Sequence, residues 1–514
     1  MSNYGQILQE IGEFGFFQKR LLAVLCIPAL FVAFDVIGQV FLGISFPHHC
    51  NTDWILERGP NLTEEKQRNL TLPVNEDGQF EGCQMFTPVD WDVETIEAYG
   101  INTTTGCIAG WDYDAPAGAS TIVTEFDVVC DRSGLIEVSQ SISMAGILFG
   151  ALTFGAISDR FGRRIAILLS VFLLSCFGIG VAFSPNMYVY MVLKFFTAAT
   201  GGVIAMNTSV LALEWTDRSR AALCTESIII FFSVGLMMLS GIAFLIHDWR
   251  ILQLVLFSPL LLVVGFLFWF LPESARWLMA QGRKEEARME LERAARVNGR
   301  KVPDDLMDKL TIEGKFKRQN MLDILRIPYL RKRSIIMAYN WSAVSLLYYG
   351  LSLNVGGFGL NIYLTQFIFG FVEIPANLSA LGLMQHFGRR ICEVGFLIAG
   401  GAACLVSLAI PNDLPVVATV IAVLGKVAAT AAFSTVYVYT PELYPTVLRQ
   451  NGVALNSMCA RVGGILSPLI RLLQVYHYAI PMSIYGIVPI TAGCLCLLLP
   501  ETLNVELQDH AETE

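Results

Sequence analysis

Long apolar runs alternate with short charged segments along most of this 514-residue chain. A helix that crosses a bilayer needs about 20 mainly apolar residues, and runs near that length predict twelve spans. They lie at residues 21–45, 135–157, 165–184, 188–212, 221–245, 250–270, 334–357, 361–384, 391–410, 415–439, 449–473 and 479–499. The pattern therefore predicts an all-α, multi-pass membrane protein.

The charges between the runs predict the orientation of the spans, because Lys and Arg beside spans stay in the cytoplasm. Each connection from an even-numbered to an odd-numbered span carries arginine; these are residues 158–164, 214–220, 273–333, 386–390 and 440–449. Residues 47–135 carry sixteen Asp or Glu against four Lys or Arg, whereas residues 273–333 carry sixteen Lys or Arg. The first of these segments is expected outside the cell and the second inside, with both termini cytoplasmic.

The spans and charges together predict the domain organisation. It consists of a cytoplasmic amphipathic N-terminus (1–20), a first transmembrane helix (21–45), a glycosylated extracellular loop domain (46–134), transmembrane helices 2 to 6 (135–270), a cytoplasmic helical linker (271–333), transmembrane helices 7 to 12 (334–499) and a cytoplasmic C-terminus (500–514). In the linker, Glu and Arg recur four residues apart between Lys284 and Arg296, which predicts a surface helix.

The extracellular loop carries the features of an oxidising compartment. It contains four cysteines, Cys50, Cys83, Cys107 and Cys130, and three glycosylation sequons, at Asn61, Asn69 and Asn102. Four cysteines allow three disulfide pairings, and the sequence does not choose among them. We expect a small cross-linked domain with little regular structure.

Composition excludes several function classes. The chain is 54% hydrophobic and 15% charged, with a mean hydropathy of +0.55, which is typical of a bilayer protein. A net charge of −9 argues against nucleic-acid binding. The chain lacks the G-x-x-x-x-G-K-[ST] motif for ATP, and no nucleophile, base or metal set converges in the loops. We therefore expect no cofactor, no metal and no enzyme activity.

The chain repeats itself with a nearly constant period. Gly162 and Gly388 stand in two copies of Phe-Gly-Arg-Arg, 226 residues apart. Glu214 and Glu442 lie 228 residues apart, as do the Pro-Glu pairs that begin at residues 272 and 500. A duplicated membrane half is typical of secondary transporters, and it argues against a pure membrane receptor.

The repeated turns are candidates for gating. Arginines after a turn glycine can pair with acids under the neighbouring helix, and such pairs can break when a bundle rocks. The candidate residues are Asp159, Arg160, Gly162, Arg163, Arg164, Glu214 and Arg218 in the first half, and Gly388, Arg389, Arg390, Glu442 and Arg449 in the second. The alternative is that these charges only fix the topology.

Arg461 is the main candidate for substrate binding. It lies about twelve residues into span 11, roughly 18 Å deep at 1.5 Å per residue. A mid-membrane arginine costs at least about 2.5–3.5 kcal/mol, so it must face a wet cavity or a partner such as Asp35 or Glu373. Arg471 lies further along the same span and is expected to reach water instead.

Several motifs together resemble solute carrier family 22, the organic ion transporters. They are Pro47-His48-His49-Cys50, Thr124-Glu125-Phe126-Asp127-x-x-Cys130-Asp131, Pro272-Glu273-Ser274-Ala275-Arg276-Trp277-Leu278 and Glu442-Leu443-Tyr444-Pro445-Thr446-x-x-Arg449-Gln450. The resemblance covers almost the whole chain. It implies the major facilitator fold, in which two six-helix pseudo-repeats surround a central cavity that opens alternately to each side. The segments Tyr348–Leu353, Tyr363–Gln366, Leu414–Val417 and Gly425-Lys426 most resemble the organic anion branch of member 13, which carries urate and nicotinate.

The resemblance also implies roles for individual side chains. A basic residue at the place of Arg461 marks the anion carriers of the family. The resemblance also places Tyr348, Tyr349, Phe433, Phe232 and Trp341 in the cavity, and Tyr437 and Asn377 are expected beside them.

Two departures from the family pattern bear on selectivity. Asn377 stands where many anion carriers have lysine, which favours small monovalent anions over dicarboxylates. Asp35 stands where a neutral polar residue is common. It could pair with Arg461, take up a proton or bind a cationic substrate.

The sequence thus predicts a secondary active transporter of small organic anions such as urate, nicotinate and other monocarboxylates. We expect it to act in the plasma membrane, with the apical face of an epithelium as one candidate location, as a monomeric transport unit that exchanges one anion for another. Its expected partners are the substrate, the exchanged anion and the lipid bilayer. The main alternative is an organic cation or zwitterion carrier that uses Asp35.

Overall fold

The amphipathic N-terminus and the first apolar run form the first two helices. The computed structural model describes residues 3–217, 220–309, 321–445 and 448–505. Helix α1 (Asn3–Ile11) buries Ile7 and Ile11, which are one helical turn apart. Helix α2 (Phe16–Leu42) carries the first span and continues through Pro28.

Residues Phe41–Ile136 and His247–Trp249 form a compact unit of their own. Two short antiparallel sheets organise it, β1 (His48–Cys50) with β4 (Trp111–Tyr113) and β2 (Gln84–Phe86) with β3 (Thr104–Gly106). Three helices accompany the sheets: α3 (Glu64–Thr71), α4 (Val93–Tyr99) and α5 (Ile122–Phe126). Disulfides join Cys50 to Cys107 and Cys83 to Cys130, one of the three pairings that the sequence left open.

The next helices complete the first membrane half. They are α6 (Leu135–Phe161), α7 (Arg163–Val181), α8 (Met187–Trp215), α9 (Ala221–Leu245), α10 (Trp249–Phe257) and α11 (Leu260–Phe270). The last two occupy one predicted span, and the break falls at Pro259, which has no backbone N–H to donate.

The segment between the halves is helical and is joined to the N-terminus. It contains α12 (Ala275–Ala280), α13 (Lys284–Val297), α14 (Asp304–Asp308) and α15 (Met321–Arg326). The Asn298 side chain accepts the Phe17 amide at 2.8 Å and donates to the Ile11 carbonyl at 3.1 Å and to Gln18 Oε1 at 3.0 Å. The linker therefore holds the start of the first span in place.

The second half repeats the helical order of the first. Its helices are α16 (Pro328–Ser352), α17 (Ile362–Phe387), α18 (Arg389–Leu408), α19 (Pro415–Glu442), α20 (Arg449–Arg471) and α21 (Ile480–Cys496). The predicted twelve-helix architecture is confirmed.

Ten candidate spans among the described residues are long and apolar enough to cross a membrane, with α10 and α11 counted as one. The other two predicted spans do not meet this criterion of length and apolar composition, for local reasons. Helix α21 has 17 residues. Helix α16 carries Arg331, Lys332 and Arg333 in its first two turns, and Asn340 and several serines further along. Most of α16 is buried among other helices, so it needs less apolar surface than a helix that faces lipid.

The two halves meet at α9 with α17 and at α6 with α20. Gly370 of α17 packs directly on Leu236 and Met237 of α9. The Ser141 hydroxyl of α6 donates to the Ile465 carbonyl of α20 at 2.6 Å. Helix α17 also packs on α19, and α16 packs on both α19 and α20, so the side chains between α9, α16, α17, α19 and α20 form a common interior.

Candidate functional site

The first charge cluster consists of Asp159, Arg163, Glu214 and Glu273 at the turn between α6 and α7. The Arg163 guanidinium pairs with Asp159 Oδ1 at 2.9 Å and with Glu214 Oε1 at 3.3 Å. The Glu273 carboxylate accepts the backbone N–H groups of Arg163 and Arg164, at 3.1 and 3.4 Å. It thereby caps the start of α7, where unpaired N–H groups favour an anion.

Gly162 makes this arrangement possible. Its φ of +104° is disfavoured for residues with a side chain, and a Cβ there would collide with the Glu273 carboxylate. Burial raises the pKa of Glu273, opposed by the backbone N–H groups that it accepts and by the Arg163 charge.

The second charge cluster, Arg389, Glu442 and Glu501, repeats this geometry between α17 and α18. Arg389 Nε lies 3.3 Å from Glu442 Oε2, and Glu501 accepts the Arg389 and Arg390 amides at 2.9 and 3.3 Å. Gly388 has a φ of +90°, and a Cβ there would meet Glu501.

The remaining gating candidates occupy different positions. Arg164 donates to the Leu271 and Phe268 carbonyls, both at 2.9 Å, and Arg390 donates to the Leu499 carbonyl at 3.3 Å. Arg449 donates to the Pro441 carbonyl at 2.8 Å. Arg160 is exposed beside the Phe161 ring, and Arg218 lies outside the described residues.

Glu273 and Glu501 are capping residues that were not predicted as such from the sequence. In the sequence both belong to the Pro-Glu pairs that mark the repeat, and Glu273 also belongs to a family motif. Each lies at nearly the same distance after its Phe-Gly-Arg-Arg turn, 111 residues after Gly162 and 113 after Gly388, and this was the signal that could have assigned them a common role.

A ring cluster, Trp341, Tyr348, Tyr349, Phe433 and Tyr437, occupies the middle of α16 and α19. Tyr348 meets Tyr349 and Phe433 edge-on, each with centroids 5.2 Å apart. Phe433 stacks on Tyr437 at 6.3 Å, and Tyr437 meets the edge of Trp341 at 4.8 Å. The five rings, predicted from two separate spans, form one continuous group.

Exposure differs within the ring cluster. Tyr437 is 54% exposed, whereas Trp341 has no exposed surface and donates its indole N–H to Thr440 Oγ1 at 2.8 Å. In this conformation Tyr437 can touch a bound molecule and Trp341 supports it from behind. Phe232 is half-buried in α9, next to Ser233.

A fully buried ion pair adjoins the ring cluster. Lys426 Nζ of α19 lies 2.9 Å from Glu373 Oε1 of α17, and the side chains are 1% and 3% exposed. Lys426 also sits 3.4 Å from the centre of the Tyr348 ring and donates to Ser352 Oγ. Glu373 accepts the Tyr348 hydroxyl and, at 3.1 Å, the Ser233 hydroxyl of α9.

Arg461 projects from α20 into the same interior. Its Nε is buried and has no hydrogen-bond partner, and its charge acts on the Tyr349 hydroxyl. Within the described part of the chain it forms no ion pair with an acid. The partner considered from sequence, Glu373, pairs with Lys426 instead.

Asp35 has a different neighbour from the one considered from sequence. The charged side chain that acts on it is Lys194 of α8 rather than Arg461. Both side chains are 1% exposed, and neither the Asp35 oxygens nor the Lys194 nitrogen has a hydrogen-bond partner. The centre of the first half thus buries one acidic and one basic side chain within electrostatic range of each other.

Asn377 and Arg471 complete the predicted set. Asn377 is buried in α17, and its Oδ1 accepts the Ser434 hydroxyl of α19, so it faces a neighbouring helix. Arg471 donates to the Leu353 carbonyl at 3.2 Å.

Lys194 and Lys426 are charges within predicted spans that were not assigned a site role from the sequence. Each is a lone basic residue inside an apolar run, as Arg461 is, and could have been assigned on the same ground. The acids Glu226 of α9 and Glu393 of α18 also lie within predicted spans.

In the loop unit, Asn61, Asn69 and Asn102 are all exposed.

Residues 100–513 match the family model described as "Sugar (and other) transporter". Solute carrier family 22 member 13 from Homo sapiens is 43% identical over 514 residues, covering 99% of this chain and 92% of that protein. Organic anion transporter 3 from Oryctolagus cuniculus is 36% identical, covering 99% and 93%. The organic cation transporter protein from Drosophila melanogaster is 34% identical, covering 99% and 94%.

Solved structures agree on the fold. The partially occluded inward open conformation of the xylose transporter XylE from E. coli has a TM-score of 0.60 at 15% identity, covering 95% of this chain and 98% of that chain. A second structure, of the major facilitator superfamily proton:xylose symporter XylE with 6-bromo-6-deoxy-D-glucose, has a TM-score of 0.58 at 15% identity, covering 95% and 97%. The predicted major facilitator fold is confirmed.

Proposed function

Because the chain belongs to solute carrier family 22 and is therefore an organic ion transporter, we propose that it carries small monovalent organic anions by alternating access. Its proposed substrates are urate, nicotinate and other monocarboxylates. The proposed mode is exchange for an intracellular anion across the plasma membrane.

The charge balance of the membrane interior is the observation that favours anions over cations as substrates. Lys426 has Glu373 at 2.9 Å and Lys194 has Asp35 within electrostatic range, whereas Arg461 has no acidic partner among the residues described. An uncompensated guanidinium inside a bilayer costs several kcal/mol. A bound anion removes that cost, and the planar guanidinium can bind a carboxylate through paired hydrogen bonds.

The ring cluster supports flat substrates. Tyr349 lies within electrostatic range of Arg461, and the exposed Tyr437 ring offers both a π face and a hydroxyl. Aromatic walls with hydroxyl tips suit a planar ring that carries one negative charge. Urate and nicotinate are both of that kind.

The two charge clusters support a rocking motion of the halves. Each cluster ties a turn to the adjacent helices of its own half through Arg163 or Arg389, and partial exposure lets these pairs break without a large desolvation cost. No motif for ATP is present in the sequence, so a solute gradient supplies the driving force in this proposal.

The cation alternative is less well supported. In that alternative a substrate cation binds Asp35, but Lys194 already offsets the Asp35 carboxylate, and both side chains are buried.

We further propose that both termini are cytoplasmic, that Asn61, Asn69 and Asn102 carry glycans, and that the monomer is the transport unit.

Uptake into vesicles that contain the purified protein tests this function. Labelled nicotinate, urate and tetraethylammonium are compared with and without an anion preloaded inside. We expect nicotinate or urate to enter faster when the preloaded anion can leave, and tetraethylammonium not to enter above the level of empty vesicles. Uptake of tetraethylammonium alone would reject the proposal.

A further inference from the structure

The Glu373 carboxylate of α17 contacts side chains from three other helices, α9, α16 and α19. Its Oε1 receives Lys426 and the Tyr348 hydroxyl, and its Oε2 receives Ser233 from the other half. The carboxylate is 3% exposed. All of these partners are donors, so Glu373 is held as a charged acceptor.

Lys426 has one compensating charge among the described residues, and that charge is Glu373. Its other neighbours are neutral: Ser352 Oγ and the rings of Tyr348 and Phe369, at 3.4 and 5.9 Å. A lysine with a carboxylate at 2.9 Å adds almost no net charge to its surroundings. The substrate therefore meets one effective positive charge, that of Arg461.

Two ring contacts and an electrostatic interaction connect the two cations. Lys426 lies over the Tyr348 ring, Tyr348 meets Tyr349, and the Tyr349 hydroxyl is within electrostatic range of both Arg461 and Glu373. Any change in the charge of the ion pair is therefore felt at the place where Arg461 acts, because a dry interior screens charges weakly.

We propose that Glu373 is a further residue that restricts this transporter to monovalent anions, because it keeps Lys426 from acting as a second cation for the substrate. Glu373 is thus a specificity determinant that need not touch the substrate. Without its charge, Lys426 and Arg461 together would favour a dicarboxylate. The inference rests on the proposed function, since it assumes that anions bind near Arg461.

The test compares uptake of labelled α-ketoglutarate with uptake of nicotinate, each normalised to protein at the cell surface. The variants are Glu373→Gln, Glu373→Gln with Lys426→Gln, and Ser233→Ala. We expect Glu373→Gln to raise the dicarboxylate-to-nicotinate ratio about tenfold, as one added unit charge partly offset by desolvation would. The double variant should restore the wild-type ratio, because the interior again has one net positive charge.

Ser233→Ala is the matched control. It removes a hydrogen bond to the same carboxylate and changes no charge, so the ratio should stay at the wild-type value. A raised ratio in Ser233→Ala would mean that the position of Glu373, rather than its charge, sets selectivity, and would overturn the proposal.

Two further outcomes decide the matter. An unchanged ratio in Glu373→Gln at normal surface level overturns the proposal. If an unpaired buried lysine keeps that variant from the surface, the double variant decides, since a wild-type ratio supports the proposal and an altered ratio rejects it. Full nicotinate uptake by Arg461→Ala would instead remove the anion site itself, which separates failure of the proposed function from failure of this inference.

Discussion

The two membrane halves are alike at their charged turns and different in their centres. Arg163 with Glu214 and Glu273 has a direct counterpart in Arg389 with Glu442 and Glu501. In the centres, by contrast, Asp35 and Lys194 share no hydrogen bond, whereas Glu373 and Lys426 are closely paired beside a ring cluster and Arg461.

This difference separates two tasks. In the proposed mechanism, rocking of two halves about a common site requires similar hinge and gate contacts in each half, which would account for the repeat at the turns. Recognition of one asymmetric substrate requires different side chains on its two sides. The second half carries the uncompensated charge, and we therefore expect it to dominate substrate choice.

The largest expected effect comes from Arg461→Ala. It removes the uncompensated charge, and loss of a buried charged hydrogen-bonding partner costs roughly 2–5 kcal/mol, so we expect nicotinate uptake to fall about 100-fold or more at normal surface level. Arg461→Lys should recover little, because the paired hydrogen bonds are lost. The control is Arg471→Ala on the same helix, whose side chain binds the Leu353 carbonyl and which should keep most uptake. Normal uptake by Arg461→Ala would remove the assignment of the anion site.

Breaking one charge cluster should have the next largest effect. Arg163→Ala and Arg389→Ala should each lower the maximal rate by about tenfold with little change in KM, because the pairs act on a conformational step. Asp159→Asn should slow transport less, since Asp159 is mostly exposed and exposed pairs contribute little. Equilibrium binding of nicotinate to purified protein provides the check. Binding lost in proportion to transport would assign the clusters to folding or to the substrate site.

Asn377→Lys sharpens the comparison by adding a charge to the second half. Two unit charges about 6 Å apart interact by roughly 3 kcal/mol at an effective dielectric constant near 20, and desolvation of the new lysine cancels part of that. We expect a several-fold rise in uptake of α-ketoglutarate relative to nicotinate, larger at low external chloride. Asn377→Met, which also loses the contact with Ser434, controls for the change in packing. An equal ratio in the two variants would show that position 377 does not act on the substrate.

The smallest effect is expected in the first half. The double variant Asp35→Asn with Lys194→Gln removes two charges that offset each other, and neutral replacement of a buried pair is often tolerated. The ratio of α-ketoglutarate to nicotinate uptake should change by less than about twofold, since the net charge of the interior is unaltered. A larger change would place the first half in substrate choice and would weaken the division of tasks.

Much of the fold could be predicted from local pattern. The length of an apolar run decides whether a helix can cross a bilayer. A repeated Phe-Gly-Arg-Arg turn marks equivalent positions in the two halves, whatever the structure of the residues between them. The break at Pro259 and the polar start of α16 were harder to predict. Whether a span breaks, and whether it is shielded from lipid, depends on the helices packed around it.

The sequence by itself determined the helices of the two halves, their duplication and the cysteines of the loop, since each follows from residue type and position along one element. Only the tertiary structure decided which charges meet. Glu373 pairs with Lys426 rather than Arg461, Asp35 lies near Lys194, and Cys50 bonds Cys107. Those choices depend on the rotation and register of helices that are distant in sequence, and a difference of one residue turns a side chain by about 100° away from one partner and toward another.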